Sequence, residues 1–204
     1  MNFYERRVLP WLIELSMRNK EARRYRQRVI PQATGHVLEV GIGSGLNLPF
    51  YGDGVRHLFG LEPSPQLRSM AGERAKGARF TVEFLDRSAQ EIPLERASVD
   101  TIVTTWTLCT IPDAICALQE MKRVLKPSGS LLFVEHGLAP EPAVQAWQHR
   151  LNPLWNRIGG GCNLNRKIDG LISGSGFRLA ELHTEYLKGL KPLSFTYSGR
   201  AVPT

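Results

Sequence analysis

Residues 37–45 read Val-Leu-Glu-Val-Gly-Ile-Gly-Ser-Gly, an apolar strand running straight into three alternating glycines. Glycine has no Cβ, so such a stretch lets the backbone turn sharply and approach a ligand closely. A dinucleotide fingerprint would place its third glycine three positions after the second, where this chain has Leu46. The spacing therefore disfavours a nicotinamide or flavin. About twenty residues on, a short apolar strand from Val55 to Leu61 ends in Glu62, where a carboxylate can accept hydrogen bonds from both ribose hydroxyls. Glycine loop plus acidic strand end points to a nucleoside-bearing cofactor. The plain structural alternative is a tight strand-to-helix turn at Gly41, Gly43 and Gly45, with Glu62 capping the next helix.

The pattern continues as alternating strands and helices. Phe80 to Leu85 reads as a third strand, followed by Ser88-Ala89-Gln90-Glu91-Ile92-Pro93. Val99 to Thr107 is β-branched and reads as a buried strand. A helix is expected from Asp113 to Val124, with Asp113 as N-cap and Leu118, Met121 and Leu125 at helical spacing. Lys126-Pro127-Ser128-Gly129 stops it, and Ser130 to Glu135 forms the next buried strand.

In this order, the Glu39-to-Gly45 loop, Glu62, the Ser88-to-Pro93 segment and Val124-Leu125-Lys126-Pro127-Ser128-Gly129 resemble the class I S-adenosylmethionine-dependent methyltransferases. The resemblance implies an α/β, Rossmann-like fold: a seven-stranded, mostly parallel sheet with an antiparallel last strand and helices on both faces. Phe177 to Tyr186 and Ser194 to Val202 would supply the last two strands. It also implies S-adenosylmethionine as cofactor and S-adenosylhomocysteine as product. Glu39, Gly41, Gly43 and Gly45 would meet the methionine end, Glu62 the ribose, Ser88 and Ala89 the adenine, and Thr105 and Trp106 the methyl group. The family often has Asp where Ser88 stands, which weakens a direct bond to the adenine amine.

A narrower similarity runs from about residue 36 to the C-terminus. Thr105-Trp106-Thr107-Leu108-Cys109-Thr110-Ile111, Phe133-Val134-Glu135-His136, and Asn152-Pro153-Leu154-Trp155 through Gly161-Cys162-Asn163-Leu164-Asn165-Arg166 resemble the microsomal alkyl-thiol methyltransferase (methyltransferase-like seven) family. That family carries a hydrophobic N-terminal anchor. Here Glu14 interrupts the apolar stretch from Val8 to Leu15 and no small-residue cleavage site follows, so neither a signal peptide nor a membrane span is expected. Nucleic-acid amino-methyltransferases use an Asp/Asn-Pro-Pro-aromatic motif where this chain has Thr104-Thr105-Trp106-Thr107, which disfavours base methylation.

Charge is unevenly placed along the chain. Of the net +7, +5 falls in residues 1–30, with eight Lys/Arg against three Glu, Glu5, Arg6 and Arg7 among them. The rest of the chain is nearly balanced and lacks the basic stripe of a nucleic-acid binder. Three cysteines without a C-x-x-C or a His/Cys cluster suggest a reducing, cytoplasmic setting and no metal. Residues 1–30 read as two amphipathic helical pieces broken near Ser16 to Asn19. Val8, Trp11, Leu12 and Leu15 line one face; Ala22, Tyr25 and Val29 line a shorter one. The resemblance makes this stretch a lid on residues 31–204; a basic amphipathic dock on anionic membrane, and a plain solvated face, are the alternatives.

The acceptor side is expected in a helical insert, 141–166. Trp11, Trp147, Asn163 and Arg166 are candidate acceptor contacts, and the tryptophans suggest an apolar pocket; for Trp155 ordinary core is the better account. Asn165 either orients the acceptor or caps the helix that follows. His136 is a candidate base for a thiol; the alternative is a backbone hydrogen bond at a strand end. Cys109 and Cys162 read as small buried residues, since direct methyl transfer needs no covalent enzyme intermediate. The expected activity is methylation of a small apolar acceptor, foremost a thiol. N-methylation of phosphatidylethanolamine at a membrane, and a non-enzymatic membrane-surface protein of the same fold, are the competing readings.

Overall fold

The computed structural model describes residues 9–204; Glu5, Arg6, Arg7 and Val8 lie outside the described residues. Asn19 breaks the N-terminal helix as expected. Helix α1 (Leu9–Met17) ends before it, and its side chain accepts the Ala22 N–H at 2.8 Å to start α2 (Lys20–Val29). Ala22, Tyr25, Arg26 and Val29 then fall on one buried face at helical spacing.

The strands are β1 (Gly35–Val40), β2 (Val55–Leu61), β3 (Thr81–Leu85), β4 (Val99–Thr105), β5 (Leu125–His136), β6 (Phe177–Tyr186) and β7 (Phe195–Pro203). They form one sheet in the order β3-β2-β1-β4-β5-β7-β6. The first five are parallel, and β7 runs antiparallel to both neighbours. Strand order therefore reverses at β1, with β2 on one side and β4 on the other. The carboxyl edge at such a switch point is where open α/β sheets bind ligands.

Alternation along the strands divides the core in two. Leu38, Val40, Ile102, Leu131 and Phe133 face α4 (Ala114–Val124) and α6 (Ile168–Gly174), which contribute Leu118, Met121, Ile168 and Ile172. Val37, Val103, Leu132 and Val134 face α2, which contributes Tyr25 and Val29. Ala71 of α3 (Pro65–Ala75) is fully buried. The period of two puts Glu39 on the α2 side with Val37. Helix α5 (Pro142–Ile158) follows β5 and precedes α6.

Around the site the chain departs from the sequence expectation in three places. Strand β4 stops at Thr105, because Trp106 turns left-handed at φ 52 while its N–H is held by Val134 O at 2.7 Å. Strand β5 starts directly at Leu125: Leu125 pairs with Val99 and Ser130 with Thr101, so the Lys-Pro-Ser-Gly turn bulges between them. After the glycine loop the chain makes a 3-10 turn, Leu48–Phe50, where a strand-to-helix turn would have an α-helix. Pro49 sits in the middle of this turn, and Gly52 and Gly54 break the path to β2.

Candidate active site

Glycine is required in the loop after β1 for two different reasons. Gly41 has φ +70, and a Cβ there would run into the Thr107 side chain, so the loops after β1 and β4 pack together only without one. Gly43 has φ +56, but the nearest atom to its absent Cβ is 4.0 Å away. Among the described residues the space above Gly43 is open. Two carboxylates flank this cradle.

Glu62 is buried, and each of its oxygens accepts one backbone N–H: Gly43 at 3.1 Å and Ser64 at 2.9 Å. Burial raises its carboxyl above the ordinary value against those two bonds. Ser64 supplies the N-cap of α3 that the plain alternative assigned to Glu62. Glu39 is more deeply enclosed. Asn47 Nδ2 donates to one of its oxygens and the Tyr51 hydroxyl to the other, both at 2.7 Å. Burial pushes its carboxyl up to about 7 in spite of these donors and the Arg26 charge.

Arg26, Asn47 and Tyr51 were not singled out from the sequence. Arg26 Nε donates to Asn47 Oδ1 at 2.9 Å, and Asn47 Nδ2 also reaches Thr105 Oγ1 at 3.0 Å. The Arg26 guanidinium lies 5.2 Å from the centre of the Trp106 ring, and Tyr25 meets that ring edge-on at 6.2 Å. The signal for Arg26 was present: it shares the i, i+3, i+4, i+7 face of Ala22, Tyr25 and Val29. A polar chain thus links α2, the glycine loop and the end of β4.

Helix α1 reaches the same loop through a carboxylate. Glu14 is buried, bonds the Ser44 hydroxyl and pairs with Arg74 at 2.5 Å. Burial alone would raise its carboxyl; the bonds from Ser44, Arg74 and Arg18 outweigh that and hold it below the ordinary value. The apolar stripe of α1 faces outward instead: Trp11 is 68% exposed, and Leu12 and Leu15 are exposed with it. Trp147 on α5 is 55% exposed, with Arg150 over its ring. Among the described residues both tryptophans stand largely exposed, and α1 docks through Glu14.

Beyond β4 and β5 lies a second group. Glu135 is fully buried and accepts from Thr104 Oγ1, Thr107 N and Cys109 N at 2.9, 3.1 and 3.3 Å, shaping the loop after β4. Burial pushes its carboxyl up to about 7 despite those donors. His136, 8% exposed, makes no hydrogen bond through either ring nitrogen among the described residues, so the strand-end backbone bond is not formed. Ser88 is exposed, its hydroxyl accepting the Gln90 N–H at 3.2 Å, while Ala89 packs into the core.

The insert residues hold loops. Asn163 Nδ2 donates to Cys109 O at 3.0 Å and Gly161 O at 2.9 Å. Arg166 donates to Leu108 O and, at 3.3 Å, to Pro112 O. It also lines a groove of about 640 Å³ between the start of α4 and α6, away from the glycine cradle. Asn165 contacts His149 at 3.0 Å; the N-cap of α6 is Lys167, which corrects the capping alternative.

Residues 38–133 match the family model described as a methyltransferase domain. With the cradle and both carboxylates at the switch point of the sheet, that match decides what this stretch is. The chain carries a methyltransferase domain. It is 37% identical over 138 residues to the rat thiol S-methyltransferase TMT1B, covering 64% of this chain and 55% of that one. To the human TMT1B it is 38% identical over 144 residues, covering 66% of this chain and 57% of that one. The chain thus spans little more than half the length of these relatives. Among solved structures, a SAM-dependent methyltransferase from Thermotoga maritima superposes with a TM-score of 0.68 at 20% identity, covering 98% of each chain. The methyltransferase cofactor fits the residues present: an open cradle over Gly43, with one buried carboxylate on each side.

Proposed function

We propose that this protein methylates an apolar thiol, with residues 9–29 as a lid over the cofactor. S-adenosylmethionine supplies a methyl group already activated on a sulfonium. The protein's task is then to hold, orient and keep dry. Glu62 is the ribose ligand, its carboxylate already aimed across the cradle at Gly43. Glu39, fixed by Asn47 and Tyr51, takes the methionine end. Trp106, locked by Val134 O, Tyr25 and Arg26, closes the site against water, which strengthens the electrostatic contacts inside.

A free thiol ionises near pH 8.5, so at neutral pH it needs help to lose its proton. His136 is the group for this. It sits at the same carboxyl edge as the cradle, and its ring, beside the Cys162 thiol, makes no hydrogen bond to a nitrogen or oxygen of the described residues. That placement carries the reading, and the thiol S-methyltransferase relatives support it. The test is turnover with labelled cofactor on alkyl and aryl thiols, set against phenols, amines and phosphatidylethanolamine. Thiols should be methylated, and His136→Ala should slow them more at pH 6.5 than at pH 9, where the thiol ionises unaided. A pH-independent loss would make His136 structural; transfer to the amine alone would move the acceptor.

A second reading rests on α1. Its outward Trp11, Leu12 and Leu15, beside Arg18, Lys20, Arg23 and Arg24, fit a peripheral contact with anionic lipid. Among the described residues no helix is long and apolar enough to cross a membrane. Flotation with phosphatidylglycerol vesicles at low salt tests this: co-flotation lost in Trp11→Ser supports it, and absence of the protein from the vesicle fraction removes it.

A further inference from the structure

Two cysteines far apart in the chain meet behind the loop that follows β4. The sulfurs of Cys109 and Cys162 lie 3.6 Å apart, both as free thiols, and share a hydrogen bond. Their backbones are already tied: Asn163 N–H donates to Cys109 O at 2.8 Å, reinforced by the Asn163 side chain at 3.0 Å. A disulfide needs sulfurs about 2.05 Å apart on closely spaced backbones. Closing the 3.6 Å gap takes a shift of about 1.5 Å between the sulfurs. Gly160 and Gly161, both at positive φ, precede Cys162 and give its loop further freedom.

The surroundings of the two sulfurs are unequal. Cys109 is buried, with the Glu135 carboxylate bonded to its N–H. Sharing the proton with Cys162 raises Cys109 well above the ordinary thiol range, and burial and the Glu135 charge add to this. Cys162 is only half-buried and neighbours the His136 ring and the Trp155 indole, neither of which bonds another described group through nitrogen. The Cys109 bond holds the Cys162 thiol below its ordinary range against burial, with smaller help from His136 and Trp155. Cys162 is the more accessible sulfur, and the directions of the two shifts favour its thiolate over that of Cys109. A thiolate that is reachable by solvent and backed by a second thiol has the layout of an oxidation-sensitive pair.

We propose that Cys109 and Cys162 are a reversible oxidation site, closed to a disulfide by hydroperoxides. The Cys162 thiolate attacks one peroxide oxygen; the O–O bond breaks, and the departing hydroxide takes a proton to become water. Cys162 is left as a sulfenic acid. The Cys109 sulfur then attacks that sulfur, the S–O bond breaks, and the oxygen leaves as a second water, taking up the Cys109 proton. Two sulfurs are oxidised by two electrons in all, and one peroxide is reduced. The new bond pins the loop carrying Trp106 and Leu108 to the one carrying Asn163 and Arg166. This step does not depend on which acceptor is methylated.

The experiment uses the full chain and hydrogen peroxide, with no methyl donor or acceptor present. Thiols titrated after denaturation should fall from three to one. The intact mass should drop by two hydrogens, and peptide mapping should join the Cys109 and Cys162 peptides within one chain. Dithiothreitol should restore all three thiols, and Cys116→Ser should leave the cross-link intact. In Cys109→Ser the reaction should stop at a Cys162 sulfenic acid that dimedone traps. Survival of three thiols would overturn the proposal. So would over-oxidation of Cys162 without a cross-link, or bridges that run through Cys116 or between chains.

Discussion

Replacing Glu39 by Gln should flatten the pH dependence of stability on the alkaline side. Burial raises this carboxyl from its ordinary 4.5 to about 7. Below pH 4.5 it is protonated in both folded and unfolded chains. As pH rises toward 7 the unfolded chain releases its proton first, so the folded state binds more protons and stability falls. The loss is complete above the folded value. From pH 5 to 8, linkage puts Glu39's share at about 2–3 kcal/mol, a fall in Tm on the order of 4–12 °C for a chain of this size. Glutamine has no proton to release and still offers Asn47 or Tyr51 an oxygen. Glu135, also raised to about 7, titrates in both proteins and cancels in the comparison. Urea unfolding of wild type and Glu39→Gln at pH 5 and pH 8 measures the double difference. Parallel loss of stability in the two proteins would refute the buried, proton-holding Glu39 and, with it, the network through Asn47 and Arg26.

Glu62→Ala should weaken cofactor binding by about 1.5–3 kcal/mol, the scale for hydrogen bonds to a charged group, or roughly ten- to a hundredfold by calorimetry; unchanged affinity would reject Glu62 as the ribose ligand. The two glycines should separate fold from site. Gly43→Ala meets open space and costs only the left-handed backbone penalty, about 1–2 kcal/mol, yet should abolish binding, whereas Gly41→Ala collides with Thr107 and should lower Tm well beyond that. If Gly43→Ala bound normally, the cradle would not be the ligand's seat. Glu14→Gln removes the charge that α1 places on Ser44 and Arg74. With charged hydrogen bonds contributing about 1.5–3 kcal/mol, tryptic cleavage at Arg18, Arg23 and Arg24 should quicken by about tenfold or more where it tracks local opening; an unchanged rate would mean that Glu14 does not hold α1 down.

The fold was legible because its signals are local and periodic. Ala22, Tyr25 and Val29 mark the buried face of α2, Asp113 caps α4 through the Cys116 N–H at 2.9 Å, and the β-branched run at 99–105 pairs as a central strand. The glycine cradle and Glu62 were legible for the same reason: a strand end and a turn need particular residues in a short window. What escaped depends on contacts between distant segments. Glu14 looked like an interruption in an apolar helix, yet it turns inward because Ser44 and Arg74 wait there, sending Trp11 and Leu15 outward. Arg26 entered only the charge count of residues 1–30, although its helical spacing placed it on the buried face beside Tyr25. Asn163 and Arg166 look like ligand-binding groups in sequence; in the fold the carbonyls of Cys109, Leu108 and Pro112 already claim them. The meeting of Cys109 with Cys162 is set by the return of the chain after α5, which no local pattern encodes.

A crystal structure of the full chain grown with S-adenosylhomocysteine tests most directly whether a nucleoside cofactor lies over the glycine loop. The ribose hydroxyls should lie about 2.5–3.2 Å from the Glu62 carboxylate, with the amino-acid end passing over Gly43 toward Glu39. Density for the ligand elsewhere, or side chains packed into the space above Gly43, would contradict the assignment.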